Sequence, residues 1–403
     1  MSSHPPGPRH VAALDGVRAL AAVAVLLTHV GFLTGEVSPS MTGALVARMD
    51  VGVALFFALS GFLMLRPWIA TAIGDRDRVP GLGSYAVKRA TRILPAYWIA
   101  AAVVLLLEAG RVYRSTLSSP LRVDLPSVLE HVFVLQGYTG SYFSTFSQTW
   151  SLTTELTFYA AVPVLGVALV RACRRSEDRQ DRLRTVRRAC LAFVVLGVAV
   201  TAFTATDLPG SSEALARSVL GHAGWFAAGA WVCARTMDPP VSGRSSEERL
   251  GLAAVLLVVA ATPLAGELLF SHGSAVQAGL RELLYTLIAG LVVSAACRPA
   301  TSSPALQVLS SPAVVWVGER SYALFLWHLP IAFVLLTLLG HDLFEGSFVV
   351  ITVLTLACSL VVADLSWRLV ERPLMAANVR RDQRRREQRD EQQSARLGDD
   401  GHQ

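Results

Sequence analysis

The chain has 403 residues, 53% of them hydrophobic and only 16% charged, with a mean hydropathy of +0.47; soluble globular domains carry about 25% charged residues. That balance excludes an ordinary soluble enzyme. The net charge of +6 and pI near 9.3 would suit a nucleic-acid binder, but the arginines lie between apolar segments and in the tail, where membrane topology accounts for them. Nucleic acid is set aside as a partner.

Taken in chain order, apolar length and the Gly, Pro and charge breaks predict spans at about 11–33, 51–73, 90–108, 151–171, 190–206, 217–235, 250–270, 281–297, 321–340 and 348–370. The fold class is therefore all-α, a polytopic integral membrane protein of about ten transmembrane helices. The stretch from Val128 to Gln136 is too short to cross and reads as a re-entrant or interfacial piece. No small-residue cleavage site precedes or interrupts the first span, which is expected to be retained. With the N terminus inside, the inner segments hold 27 Lys and Arg, and the outer loops hold four, Arg48, Arg111, Arg114 and Arg122. The positive-inside rule thus predicts both termini in the cytoplasm. Residues 1–10 form a short N-terminal segment, 11–375 the membrane domain, and 376–403 a charged cytoplasmic tail, read as disordered and given no catalytic role. Arg outnumbers Lys 35 to 1, the usage of a GC-rich bacterial genome. Cys173, Cys190, Cys233, Cys297 and Cys358 show neither paired nor Cys-x-x-Cys spacing, so neither a disulfide framework nor a metal site is expected.

A charged side chain near the bilayer centre costs at least about 2.5–3.5 kcal/mol, which makes each one inside a span a functional candidate. Arg18 and His29 stand eleven positions apart in the first span, so they share a face and lie roughly 16 Å apart along the axis. Arg18 falls toward the cytoplasm, where it could meet an anionic donor, and His29 toward the outside, where it could serve as a general base. Snorkelling and an interfacial imidazole account for the two equally well. In the second span, Ser60-Gly61 lets another helix, or a thin ligand, approach closely, with helix packing the simpler reading. Arg89 and Arg92 share one helical face at the inner surface and could clamp a pyrophosphate or a nucleotide 3′-phosphate; positive-inside topology explains them too. Trp150 suits an interfacial belt, and Ser151 or Thr149 could cap the fourth span. Glu155, one turn in, needs a partner, and pairing with His29 would orient and charge-stabilise an imidazolium. His328 lies near mid-depth in the ninth span, two residues before Pro330. For His222, Glu267, Glu282 and Asp364 structural pairing is the favoured reading, and Glu371-Arg372-Pro373 reads as a stop signal.

In order, these segments resemble the acyltransferase-3 family of membrane O-acyltransferases. Arg18 to His29 resembles its basic residue, ten residues, then His; Phe57-Ala58-Leu59-Ser60-Gly61 its Phe-x-x-Ser-Gly; and Arg89-Ala90-Thr91-Arg92 its Arg-x-x-Arg. Trp150-Ser151-Leu152-Thr153-Thr154-Glu155, the Ser-Tyr…Leu-Trp-His-x-Pro of the ninth span and Glu371-Arg372-Pro373 complete a match running from about residue 11 to 375. The resemblance implies transfer of an acyl group, acetyl above all, from cytoplasmic acyl-CoA as co-substrate to a hydroxyl of a glycan, glycolipid or glycosylated metabolite at the outer face of the plasma membrane, with no bound cofactor. It assigns Arg18, Ser60, Gly61, Arg89 and Arg92 to the donor, His29, Glu155 and His328 to catalysis, and Trp150 and Ser151 to the acceptor side. Many members carry an esterase-like SGNH domain, so a stand-alone form is expected here, with membrane lipids and a separate extracytoplasmic partner as its implied partners. The rival reading is a proton-coupled secondary transporter, which buried His, Glu and Arg would also serve.

Overall fold

The computed structural model describes residues 11–381 apart from 111, 114–124, 207, 239–243, 269–272 and 300–302, together with 383, 384 and 388. Its elements are all helices, as expected where only intrachain hydrogen bonds can satisfy a backbone removed from water. The main helices are α1 (Ala12–Leu33), α2 (Val51–Ile73), α3 (Leu82–Ala109), α4 (Trp150–Cys173), α5 (Arg179–Thr204), α6 (Ala223–Thr236), α7 (Ser246–Ala260), α8 (Ala275–Ala296), α9 (Ser321–Leu339) and α10 (Phe348–Ser366). Eight of them, all but α6 and α7, are long and apolar enough to cross a bilayer, and the chain is a multi-pass membrane protein.

α6 and α7 have 14 and 15 residues, or roughly 21–23 Å at 1.5 Å per residue, short of a hydrocarbon core of about 30 Å. Their breaks have local causes. Before α6 the expected helix is interrupted because Ser218 Oγ bonds its own turn, donating to the Leu215 carbonyl at 2.7 Å and accepting from Gly221 N at 3.3 Å, the competition that hydroxyl side chains offer a helix. α7 stops ahead of Pro263, which disfavours helix in the residue before it. Elsewhere the ends follow their signals. Ser245 with Glu248 and Ser274 with Gln277 form capping boxes on α7 and α8, while Gly74 and Gly340 close α2 and α9 at φ +90° and +75°. At α4 the expected side-chain cap is absent: a 3₁₀ turn, Ser144–Thr149, runs straight into the helix, and Ser151 Oγ donates back to the Gln148 carbonyl at 3.2 Å. The interfacial stretch forms two short pieces, Leu125–Val132 and Gln136–Thr139.

α2 is the central helix, with α1, α4, α6 and α8 packed around it. A Cβ at Gly61 would overlap the carbonyl oxygen of Phe226, and one at Gly229 that of Ala58. The backbones of α2 and α6 therefore touch, the close approach that small residues permit between membrane helices. Gly229→Leu should cost at least about 1–3 kcal/mol by forcing these helices apart, read as a lowered unfolding midpoint of the purified protein; an unchanged midpoint would show the contact to be soft. Arg48, expected in an outer loop, is instead buried and ties the start of α2 to the end of α7, donating from Nε to the Ala260 carbonyl and from Nη2 to the Gly266 carbonyl, both at 2.8 Å. Asp364 pairs with Arg320 at 2.7 Å and Arg368 at 2.8 Å, and His222 lies 3.5 Å from Glu282. Glu267 is an exposed loop residue beyond the end of α7 rather than a buried one. Helix continues past Pro373 to Arg381, held by Asn378 Nδ2 donating to Thr91 Oγ1 at 2.6 Å. The expected N-terminal segment and most of the expected disordered tail fall outside the described residues.

Candidate active site

Val53, Phe57, Ser60 and Met64 recur at helical spacing on α2 and line one side of a narrow cavity of about 80 Å³. Eleven positions separate the first from the last, roughly 16 Å of depth. Ser151, Glu155 and Tyr159 of α4 close a second side, Arg89 and Arg92 of α3 a third, and Arg18 of α1 with Ser321, Tyr322 and Phe325 of α9 the remainder. Ser60 Oγ and Tyr159 OH both donate to Glu155 Oε1 at 2.5 Å, so this carboxylate is satisfied by hydroxyls within the cavity. Tyr85 OH fixes α3 to α4 through the Tyr159 carbonyl at 3.0 Å, and Tyr322 OH fixes α9 to α3 through the Ile93 carbonyl at 2.8 Å.

Three guanidiniums thus meet at one chamber. Arg18 is paired with Asp15 one turn earlier. Arg89 Nε is buried with no hydrogen-bond partner among the described residues, and such an orphaned donor suits an anionic ligand, since leaving it unmet costs about 1–3 kcal/mol or more. Glu371 sits buried in a π-helical turn, Trp367–Glu371, within electrostatic reach of Arg92 and Tyr322. Turns of this kind are frequent at functional sites.

A second polar station lies further along α1 and α9. His29 and His328 face each other with Nδ1 and Nε2 3.0 Å apart, and His328 Nδ1 is 3.2 Å from the Leu324 carbonyl. A carbonyl only accepts, so His328 Nδ1 carries the hydrogen. With the rings neutral, the cheaper state in apolar surroundings, His328 Nε2 accepts from His29 Nδ1–H, and the lone pair of His29 is left on Nε2. His328 is 1% exposed, whereas His29 is only partly buried. Between this pair and the arginine chamber stand Phe56 and Phe325, edge to face at 6.1 Å, with the Phe325 ring 5.9 Å from that of His328.

Of the residues singled out in the sequence, Arg18, Ser60, Arg89, Arg92, Ser151 and Glu155 share the cavity, and His29 and His328 share the second station. Three expectations are corrected. Glu155 pairs with Ser60 and Tyr159, not with His29, whose partner is His328. Gly61 faces the α6 backbone rather than the cavity, because only its missing side chain admits the Phe226 carbonyl. Ser151, expected on the acceptor side, lines the arginine chamber instead, whereas Trp150 lies outside it with its ring 5.4 Å from His222. Tyr159 and Tyr322 line the cavity without having been given a role in the sequence, and Glu371, read there only as part of a stop signal, lies within electrostatic reach of it; for Tyr159 the signal was its i+4 spacing from Glu155.

A family model described as an acyltransferase domain, acyltransferase-3, matches residues 11–364. Peptidoglycan O-acetyltransferase OatA of Listeria monocytogenes is 24% identical over 391 residues, covering 91% of this chain and 56% of its own length. A candidate peptidoglycan O-acetyltransferase of Bacillus subtilis, YrhL, is 25% identical over 94% of this chain and 57% of its own, and a candidate O-acetyltransferase of Staphylococcus aureus strain COL is 22% identical over 92% and 58%. The chain therefore spans somewhat more than half the length of these relatives. No solved structure matches it. The matched segment takes in both polar stations and every helix that builds them except the π-helical turn bearing Glu371, and on that match the chain belongs to the acyltransferase-3 family.

Proposed function

We propose that the protein is an O-acyltransferase of the plasma membrane that moves an acyl group, acetyl above all, from acyl-CoA on the cytoplasmic side to a hydroxyl of a carbohydrate-containing acceptor at the outer face. The observation that carries this reading is the alignment of two stations along α1 and α9, an arginine chamber and a histidine pair, separated by two aromatic rings. The excess of Lys and Arg in alternate loops supports an inward-facing chamber. The names of the relatives support acetyl as the group and a cell-wall glycan as one class of acceptor.

In this mechanism Arg89 and Arg92 hold the phosphates of the donor, Arg18 is kept in place by Asp15, and the thioester advances along the face of α2 past Ser60. His29 Nε2 takes the proton of the acceptor hydroxyl as its oxygen attacks the thioester carbonyl carbon. The carbon–sulfur bond breaks, and the proton passes to the departing thiolate, leaving an ester and free CoA thiol. His328 acts through His29, fixing its tautomer as the carboxylate does in a hydrolase triad. Glu155 keeps the Ser60 and Tyr159 hydroxyls turned away from the thioester path.

Mass spectrometry of surface glycans, glycolipids and secreted metabolites from a deletion strain, complemented with the wild-type chain or with His29→Ala, tests the reading. One acyl mass should vanish on deletion and return only with the wild-type chain. Restoration by His29→Ala, or no change in any acylated species, would overturn it.

A further inference from the structure

Away from both stations, α2, α4, α5 and α6 enclose an elongated slot of about 300 Å³. Its wall is almost wholly hydrocarbon, with Ile69, Phe158, Ala168, Ala172 and Phe226 among the lining residues and Thr185 at one end. Thr185 spends its hydroxyl on the Asp181 carbonyl at 3.0 Å, so the slot offers no polar group to a ligand there. From Phe158 to Ala172 the lining covers fourteen positions of α4, roughly 21 Å, against about 15 Å for one leaflet of a hydrocarbon core. Ala168 and Ala172 are exposed, so the slot opens at the surface of the bundle.

The end near Ala172 and Thr185 is strongly cationic. Arg179, Arg184 and Arg187 in this region are taken by Asp75, Asp181 and Asp238. Arg171, Arg174, Arg175 and Arg188 are exposed, and no carboxylate pairs with them among the described residues. Arg171 follows Ala168 by three positions, which sets it on the slot's own flank one turn nearer the end of α4, and Arg175 lies in the turn just past that end at Cys173, three positions after Ala172. Topology alone requires positive charge at this end of the bundle; it does not require a leaflet-deep apolar slot directly beneath arginines that pair with no carboxylate among the described residues.

We propose that this slot is a binding site for an anionic phospholipid, its acyl chain lying along α4 between α5 and α6 and its phosphate held by Arg171 and Arg175. The chain would rest on Phe226, which stacks on Phe158 at 3.9 Å and on Phe57 at 4.5 Å. Phe57 also lines the arginine chamber, so the lipid and the chamber share one aromatic wall.

The test is native mass spectrometry of the full chain released from nanodiscs holding equal amounts of dioleoyl phosphatidylglycerol and dioleoyl phosphatidylcholine. Wild-type protein should retain phosphatidylglycerol in preference. Arg171→Gln with Arg175→Gln should weaken that retention about thirtyfold, the equivalent of ~1 kcal/mol for each arginine. Ala168→Trp should abolish retention of the chain itself, with Ala172→Phe as a second blocking variant; both sites are exposed, and unfolding midpoints report whether the fold survives. Equal retention of the two lipids, wild-type retention by the arginine variant, or continued retention by a folded blocking variant would overturn the proposal.

Discussion

Replacing His29 by alanine is expected to slow acyl transfer by about 10²–10⁴-fold, the usual contribution of a positioned general base, with the unfolding midpoint left in place. His328→Ala should cost less than His29→Ala, because it removes the group that fixes a tautomer rather than the base itself. The double variant should be no slower than His29→Ala alone, since residues acting as a unit are strongly non-additive. Glu155→Gln combined with His29→Ala should instead show additive losses, as the two side chains hydrogen-bond to different partners. Rates from purified protein in lipid decide between these patterns. Additive losses for the two histidines would separate them into independent roles and remove the relay.

The second large effect concerns the donor. Arg89→Gln and Arg92→Gln should each raise the KM for acetyl-CoA by about tenfold or more, from the 1.5–3 kcal/mol of a charge-assisted hydrogen bond. An acetyl thioester of pantetheine, which lacks the nucleotide phosphates, separates this role from a structural one. Its KM should be high with the wild-type chain and indifferent to both substitutions. Parallel losses with the two donors would mean that the arginines hold α3 in position rather than phosphate in the chamber. The buried Nε of Arg89, which has no hydrogen-bond partner among the described residues, makes Arg89→Gln the more informative of the pair.

Much of this was legible before any coordinates. Apolar run lengths placed the main helices, and the insertion cost of charge drew attention to Arg18, His29, Arg89, Arg92 and Glu155. Two things were not legible, for different reasons. The shortness of α6 and α7 depends on local events, a serine bonding its own turn and a proline three residues past the last helical position, which averaged hydropathy does not register. Partner choice between helices depends on relative rotation and depth. Each residue turns a helix by about 100°, so a single sequence fixes which residues share a face but not which face of another helix they meet. Glu155 and His29 are well matched chemically, yet α4 turns its carboxylate to Ser60 of α2 while α9 brings His328 to α1. Gly61 illustrates the same limit, since Ser60 beside it opens on the chamber while Gly61 admits a backbone.

On the proposed transfer across the membrane, the two rings of Phe56 and Phe325 have a bioenergetic consequence. A protein that takes its donor from one side of an energised membrane and its acceptor from the other must join two aqueous compartments chemically without joining them electrically. A continuous file of water between the arginine chamber and the histidine pair would let protons run down the membrane potential, at about 2.3 kcal/mol per charge for each 100 mV. Two phenyl rings set edge to face interrupt that file with hydrocarbon, while an uncharged acetyl group asks for no hydration as it passes. On that proposal, the aromatic pair would make the route selective for its cargo by polarity alone and let the cell modify its exterior without discharging itself.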